Sequence, residues 1–339
     1  MRPRRVRMSD VARAAGVSAA SVSYALSGAP GVSDERRRHI LAVAEEMGFR
    51  PSRTARDLRS GTTRTIGLLL ADIANPFYTE VAAGVVARAE DAGYEVSVAH
   101  VGVDGARQAD VAYAQVDRNC SGLIFTSLIA DDKRLLDTLR QEGIPVVQVY
   151  RKVDGEQSDW VGIDDEQAGF EMASHVVATG RRRIALIGGP EASSASRGRM
   201  HGYLGALRKA GLTAVNDPDV WGELSRASGA LRARSVLAEH PDVDAFVCGN
   251  DVIALGVLDV CTEIGRRVPQ DVAISGFDDM SFSSAGPLQL STVTVPRDIL
   301  GRRAAHRLLQ RIEGDTGGPR NELLPYTIQI RNTTVPGRA

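Results

Sequence analysis

From Thr65 onward, short apolar runs rich in β-branched residues alternate with longer stretches of helical periodicity, and no other feature constrains the fold as much. The runs occupy 66–71, 95–98, 122–126, 146–149, 184–187, 245–248 and 272–276, with helical spacing at 77–92, 167–179, 200–210 and 252–265. Strand–helix–strand order of this kind builds parallel sheets with right-handed crossovers. Residues 65–339 amount to about 275, a length that suits two Rossmann-like lobes better than one. In such sheets ligands bind outside the carboxyl ends of the strands. The residues expected there are Asp72 with Phe77 and Tyr78, then Thr126-Ser127, Tyr150-Arg151, Gly188-Gly189, Asn250-Asp251 and Phe277-Asp278. Aromatic faces, carboxylates, an amide and an arginine converging on a cleft suit a polar, hydroxylated or heterocyclic ligand.

The first fifty residues follow another rhythm. Ser9 is expected to cap a short helix with Asp10 in its first turn, Val11, Ala12 and Ala15 facing inward, and Gly16 ending it. Ser18 would cap a second helix over 19–26, with Val22 and the pair Ala25/Leu26 inward. Ser33 would cap a third, whose stripe is Ile40, Ala44 and Met47 and whose stop is Gly48. Two helices joined by a glycine turn describe a helix-turn-helix, although the pattern alone also admits a generic three-helix bundle. In a helix-turn-helix the second helix enters the DNA major groove, and its outward positions here are Ala19, Ala20, Ser23 and Tyr24.

Charge points the same way. Residues 1–64 hold 13 Arg and no Lys against six acidic residues, a net of +7, so the remainder carries −8 although the whole chain stands at −1. A basic head on an acidic body suits a polyanion-binding module joined to a soluble sensor. Between them, residues 51–64 place Arg53, Arg56 and Arg59 at three-residue steps behind Pro51, with Leu58 as the sizeable apolar side chain and Ala55 nearly one turn before it. A helix this short is marginal alone. Composition therefore fits either a flexible linker or a segment that folds on DNA, its arginines beside phosphates and its leucine between base steps.

The residues quoted so far carry a resemblance. The segment Ser9-Asp10-Val11-Ala12-Arg13-Ala14-Ala15-Gly16-Val17-Ser18, then Ser21-Val22-Ser23 and Gly48-Phe49-Arg50-Pro51, resembles the head of the LacI/GalR family of bacterial repressors. Further landmarks are Asp72-Ile73-Ala74-Asn75-Pro76-Phe77-Tyr78, Val161-Gly162-Ile163-Asp164-Asp165, Arg199-Met200-His201-Gly202-Tyr203, Asn250-Asp251-Val252-Ile253-Ala254 and Gly276-Phe277-Asp278-Asp279. The resemblance implies an all-α helix-turn-helix head (1–50), a hinge helix and linker (51–64), and a two-lobed α/β body of the periplasmic-binding-protein type (65–339). It implies DNA contacts from Ser18, Ala19, Ala20, Ser21, Ser23 and Tyr24, with Arg53, Ala55, Arg56 and Leu58 in the hinge. It implies effector contacts at Phe77, Tyr78, Arg199, Asn250 and Asp278, and weaker ones at Arg151, Asp164 and Leu224; the strand-end rule adds Asp72 and Ser127. The partners implied are double-stranded operator DNA, a sugar-like effector that controls DNA binding allosterically, and a second copy in a homodimer. Tyr24 stands where the family commonly has Arg, which reads guanine bidentately as Tyr cannot, so a different operator is implied. Tyr150 stands where an acidic residue is more usual.

Rival classes fare less well. There is no GxGxxG, no GxxxxGK[ST], no HExxH and no GxSxG, and the six histidines are scattered, so no catalytic residue, metal or cofactor is expected. Cys120, Cys248 and Cys261 lack metal-site or disulfide spacing and read as small buried apolar residues. A solute-binding protein would fit the body, but Ser9-Asp10 follows the basic N-terminus where a secretory leader needs an apolar stretch. A cytoplasmic location and no membrane partner are therefore expected.

Overall fold

The computed structural model describes residues 6–49 and 63–335 except Val103, Glu156 and Pro287. The expected hinge residues Arg53, Ala55, Arg56 and Leu58 lie outside the described residues. The chain divides into two compact units, Met1–Thr63 and Arg64–Ala339.

The head unit contains α1 (Met8–Ala14), α2 (Ala19–Ser27) and α3 (Asp34–Glu46) around Val11, Ala12, Ala15, Val22, Ala25, Ile40 and Ala44. Its first helix corrects one expectation. Ser9 lies inside α1, and the N-cap is Arg7, because the Asp10 carboxylate reaches back to accept the Arg7 N–H at 2.9 Å. The turn between α1 and α2 runs through Gly16 at φ +65°, a left-handed conformation that a Cβ penalises. Ser18 caps α2 as expected, its hydroxyl accepting the Ser21 N–H at 3.1 Å, and Ser33 caps α3 through the Arg36 N–H. Ser18→Ala is expected to cost about 1 kcal/mol. Amide exchange across α2 in the intact protein, accelerated about fivefold, is the check.

In the body unit, the first sheet is built from β1 (Thr65–Leu70), β2 (Glu95–His100), β3 (Leu123–Phe125), β4 (Val146–Val149) and β5 (Asp159–Gly162). Every pairing is parallel, and α4 (Pro76–Asp91), α5 (Gln108–Asp117) and α6 (Lys133–Gln141) are its crossovers. The second lobe runs α7 (Asp165–Ala178), β6 (Ile184–Ile187), α8 (Ser194–Lys209), α9 (Arg226–Glu239), β7 (Ala245–Cys248), α10 (Asp251–Glu263) and β8 (Ala273–Ser275), with its sheet in the order β6-β7-β8. The chain then recrosses twice. After β9 (Thr292–Thr294), α11 (Arg297–Ile312) returns to pack on α4 and on β3, β4 and β5, and β10 (Asn321–Leu323) joins the first sheet beside β5. Finally β11 (Thr327–Gln329) pairs antiparallel with β9. The first sheet thus reads β10-β5-β4-β3-β1-β2, two lobes joined by three passes of chain.

Both sheets are covered by helices, so strands such as β6 and β7 are buried at every position, as continuous apolar runs require. Three helix pairs meet nearly backbone to backbone at reciprocal glycines: Gly84 with Gly301 in α4/α11, Gly169 with Gly202 in α7/α8, and Gly229 with Gly256 in α9/α10. A Cβ at any of the six would press on a carbonyl oxygen of the facing helix. Among the described residues no helix is long and apolar enough to cross a membrane.

Candidate functional site

The carboxyl ends of β4, β5, β7 and β8 and the N-termini of α4 and α8 meet between the lobes, and Arg199 occupies the centre. It sits on α8 and is 5% exposed. Its Nε donates to Asp165 Oδ1 at 2.9 Å and its Nη2 to Asp278 Oδ1 at 3.0 Å. Nη1 donates to the Gly249 carbonyl, and Nη2 also reaches the Tyr150 hydroxyl. The guanidinium carbon lies 3.7 Å from the centroid of the Phe277 ring, within cation–π range. Arg199 therefore has partners for its Nε, Nη1 and Nη2 donors and a ring against its guanidinium. A buried guanidinium demands them, since an unpaired charge in a low-dielectric interior costs several kcal/mol.

Burial drives the Asp165 carboxyl well above the usual carboxylate range, with the Asp278 and Asp164 charges adding to it and Lys152 opposing. Asp278 is pushed up to about 6 by burial, with Arg199 and Arg297 holding it down. Asp278 and Tyr150 are both held at positive φ, +107° and +67°, where non-glycine backbone is strained. The fold over-determines both. Asp278 donates its N–H to the Val293 carbonyl, and its own carbonyl accepts from Arg297. Tyr150 is fixed by its N–H on Val161 O (2.8 Å), by Trp160 Nε1 on its carbonyl (3.1 Å) and by its hydroxyl on Asp165 (3.2 Å).

Phe77 and Tyr78, edge to face at 5.2 Å, close the first-lobe wall, and Phe77 also packs on Tyr150 at 4.7 Å. Asn250 caps α10, its Oδ1 accepting the Ile253 N–H at 2.8 Å. These residues leave a cavity of about 20 Å³, also lined by Arg151, Leu224, Asn75 and the serines at the start of α8. That holds about one water. Behind the Tyr150–Asp165 wall lies a groove of about 450 Å³ lined by Lys152, Asp154, Trp160, Asp164, Arg197 and His201.

The expected effector residues thus divide. Phe77, Tyr78, Arg151, Arg199, Leu224, Asn250 and Asp278 are brought together around the small cavity. Three others are not. Asp164 is an exposed N-cap of α7 that accepts the Gln167 N–H and borders the outer groove. Asp72 closes a local turn onto the Ala74 N–H, and Ser127 is buried in the first lobe, donating to Gln108 Oε1 at 2.7 Å. Strand-end position places a residue near the cleft without fixing which way its side chain turns. Asp165 is absent from the expected contacts although it closes the Val161–Asp165 landmark, and Tyr150, expected at a strand end, is not among the effector contacts that the resemblance implies.

On the head, Ala19, Ala20 and Tyr24 lie on the exposed face of α2, Ser18 is exposed at its cap, and Ser21 and Ser23 are half-buried. Arg37 on α3 is spent internally, donating to the Ala29 carbonyl at 2.7 Å and bracing the loop between α2 and α3. Among the described residues no cluster of His, Cys, Asp or Glu could hold a metal.

Comparison with known proteins places these features together. Residues 7–52 match the model for "Bacterial regulatory proteins, lacI family". Residues 63–333 match that for "Periplasmic binding proteins and sugar binding domain of LacI family". The HTH-type transcriptional regulator CelR of Thermobifida fusca is 32% identical, covering 98% of this chain and 99% of that protein. The lac repressor dimer bound to operator and the anti-inducer ONPF superposes with a TM-score of 0.87 at 28% identity, over 98% of this chain and 99% of that one. The CelR–cellobiose complex gives 0.73 at 30% identity, over 97% and 100%. With one family model accounting for the three-helix head and another for nearly all of the two-lobed body, this chain belongs to the LacI family of bacterial regulatory proteins.

Proposed function

We propose that the protein is a dimeric, sequence-specific transcriptional repressor whose hold on operator DNA is set by a sugar or related metabolite bound between the lobes. One observation carries this reading: a single chain joins a helix-turn-helix with an exposed α2 face to a cleft whose centre, Arg199, is tied to both Asp165 and Asp278. Relatives support it, since lac repressor is a dimer on operator and CelR is seen with cellobiose. A cavity of about 20 Å³ is far below the 300 Å³ or more that a small-molecule site needs, so ligand entry requires the lobes to part. Ligand hydroxyls would then take over hydrogen bonds that Tyr150 now makes to Arg199 and Asp165. The ligand biases a two-state body, and residues 51–64 transmit that bias as a hinge with Leu58 at the operator centre. Effector and DNA affinities must then be coupled reciprocally.

The role is regulatory rather than catalytic, as it is in the relatives, and it belongs in the cytoplasm where the DNA is. The test is selection of duplexes from a random pool by the intact protein at low salt, with and without sugars. A near-palindromic site should emerge, with half-sites about one helical turn apart. Tyr24→Ala and Leu58→Ala should each lower the ratio of specific to non-specific affinity by about 5- to 100-fold. Absence of any sequence preference overturns the proposal.

A further inference from the structure

The chain treats its buried arginines unequally. Arg199 is paired with two carboxylates, and Arg307, also buried, lies between Asp159 at 3.0 Å and Asp315 at 2.5 Å. Arg151 is the most enclosed of the three at 1% exposure, and among the described residues its partner is Tyr78 and no carboxylate. Its Nη2 donates to the Tyr78 hydroxyl at 3.0 Å, whereas Nη1 is buried without a hydrogen-bond partner. A guanidinium does not shed its proton in a protein, so it cannot escape the cost of burial by neutralising. The Tyr78 ring, 6.0 Å from the guanidinium carbon, offers weak compensation.

Arg151 lines the small interlobe cavity, and its surroundings favour negative charge there. The N-termini of α4, at Asn75, and of α8, at Ser193, open on the same space, each with the partial positive charge of a helix start. The acidic groups nearby are already committed. Asp165 and Asp278 are bound to Arg199, and Asp164 caps α7.

We propose that the effector is an acidic metabolite, a sugar-sized polyol bearing a carboxylate or phosphate, whose anionic group pairs with the free edge of Arg151 and the Tyr78 hydroxyl. This rests on the reading of the cleft as the effector site and adds the charge of its occupant. The hydroxylated remainder would face Arg199, Asp278 and Asn250. Carboxylate and phosphate share the fork-like oxygen pair that a guanidinium edge grips.

Calorimetric titration of the intact protein with matched sets tests it: glucose, glucuronate and glucose 6-phosphate, then galactose, galacturonate and galactose 6-phosphate. In at least one set an acidic member should bind about tenfold or more tightly than its neutral parent, and the better acid identifies the anionic group. In Arg151→Gln that preference should fall to about twofold or less, with Arg151→Lys restoring part of it. Ligand-free Arg151→Gln should also melt above the parent, because a buried charge without a counterion has been removed; a purely structural arginine would give a lower melting temperature. Equal affinity for neutral and acidic members, a preference that survives Arg151→Gln, or a lower melting temperature overturns the acidic-effector assignment alone. If no member of any set binds, the sugar-effector reading falls as well.

Discussion

Replacing Arg199 by methionine is expected to lower the stability of the body by about 3–5 kcal/mol at neutral pH, the range found when one partner of a buried ion pair is removed. Methionine fills much of the volume but leaves Asp165 and Asp278 facing each other without the cation between them. It also deprives the Gly249 carbonyl of its donor. The loss should depend on pH, and its sign follows from Asp278. That carboxyl stands at about 6 in the intact protein against an ordinary 3.8, and removing Arg199 takes away a charge that lowers it, so it rises further. A carboxyl raised on folding contributes stability fully below about 3.8 and loses it as pH climbs through the folded value. The gap between parent and variant should therefore be small near pH 4, widen through pH 6 and be greatest above pH 7. Urea midpoints at pH 5 and pH 8 measure it. A gap below about 1 kcal/mol, or one that does not change with pH, would show that the triad is not an ion-paired unit. Asn at 278 in the Arg199→Met background should recover part of the loss, since it removes one stranded charge.

Gly169→Ala and Gly205→Ala, two identical changes on facing helices, are expected to move stability in opposite directions. A Cβ at Gly169 would lie 2.6 Å from the Arg199 carbonyl oxygen and 3.1 Å from its Cα, both backbone atoms that no rotamer change can move aside. The helices must separate, at about 1–3 kcal/mol or more. A Cβ at Gly205 would meet only Phe170 at 3.5 Å and Arg208 at 3.9 Å, ordinary contacts, and mid-helix Gly→Ala contributes about 0.5–1 kcal/mol. Melting temperatures should fall by several degrees for the first and rise for the second. The first change also shifts the backbone that carries Arg199, so it should weaken effector binding even where the fold survives. Two variants moving the same way would contradict the close approach of α7 and α8.

Legibility in the sequence followed unbroken apolar runs rather than burial alone: β5 at 159–162 is buried throughout, yet its Asp and Gly ends break the run, and no strand is read there. Strands enclosed on both faces, such as β6 at 184–187 and β7 at 245–248, announce themselves as unbroken apolar runs. The strands β9, β10 and β11 are three residues each, and β10 is largely exposed, so no run exists to be read. The helix α9 carries Arg226, Arg232 and Arg234 among small residues and buries only Gly229, Ala233 and Val236, a stripe without large side chains. In α8 the helix starts at Ser194, six residues before Met200 supplies the first large apolar signal, because its cap is Ser193. The cleft was legible as a set of strand ends, and Asp278 was found that way, whereas Arg199, inside a helix, came only from the family resemblance. Their mutual pairing was not, because a carboxylate and a guanidinium 79 positions apart meet only once both sheets exist. The same holds for Asp251, expected at a strand end. Burial pushes it up to about 7, and it gathers the Met280 N–H and the Ser283 and Thr292 hydroxyls from segments up to 41 residues away.

The return of α11 to the first lobe has a consequence for how the molecule comes into being. Leu300, Ala304, Ala305 and Leu308 on that helix belong to the same core as Ile66, Leu68 and Val147. The lobe begun at Thr65 therefore has that side covered only by α4 while more than two hundred further residues are synthesised. The stretch from α7 to β8 has most of its partners within reach much earlier, although the Ile274 N–H and the His175 ring wait for Thr333 and Thr334. A ribosome making this protein thus holds a nearly finished second half and a half-covered first half, until the helix at 297–312 emerges to close the sheet made first.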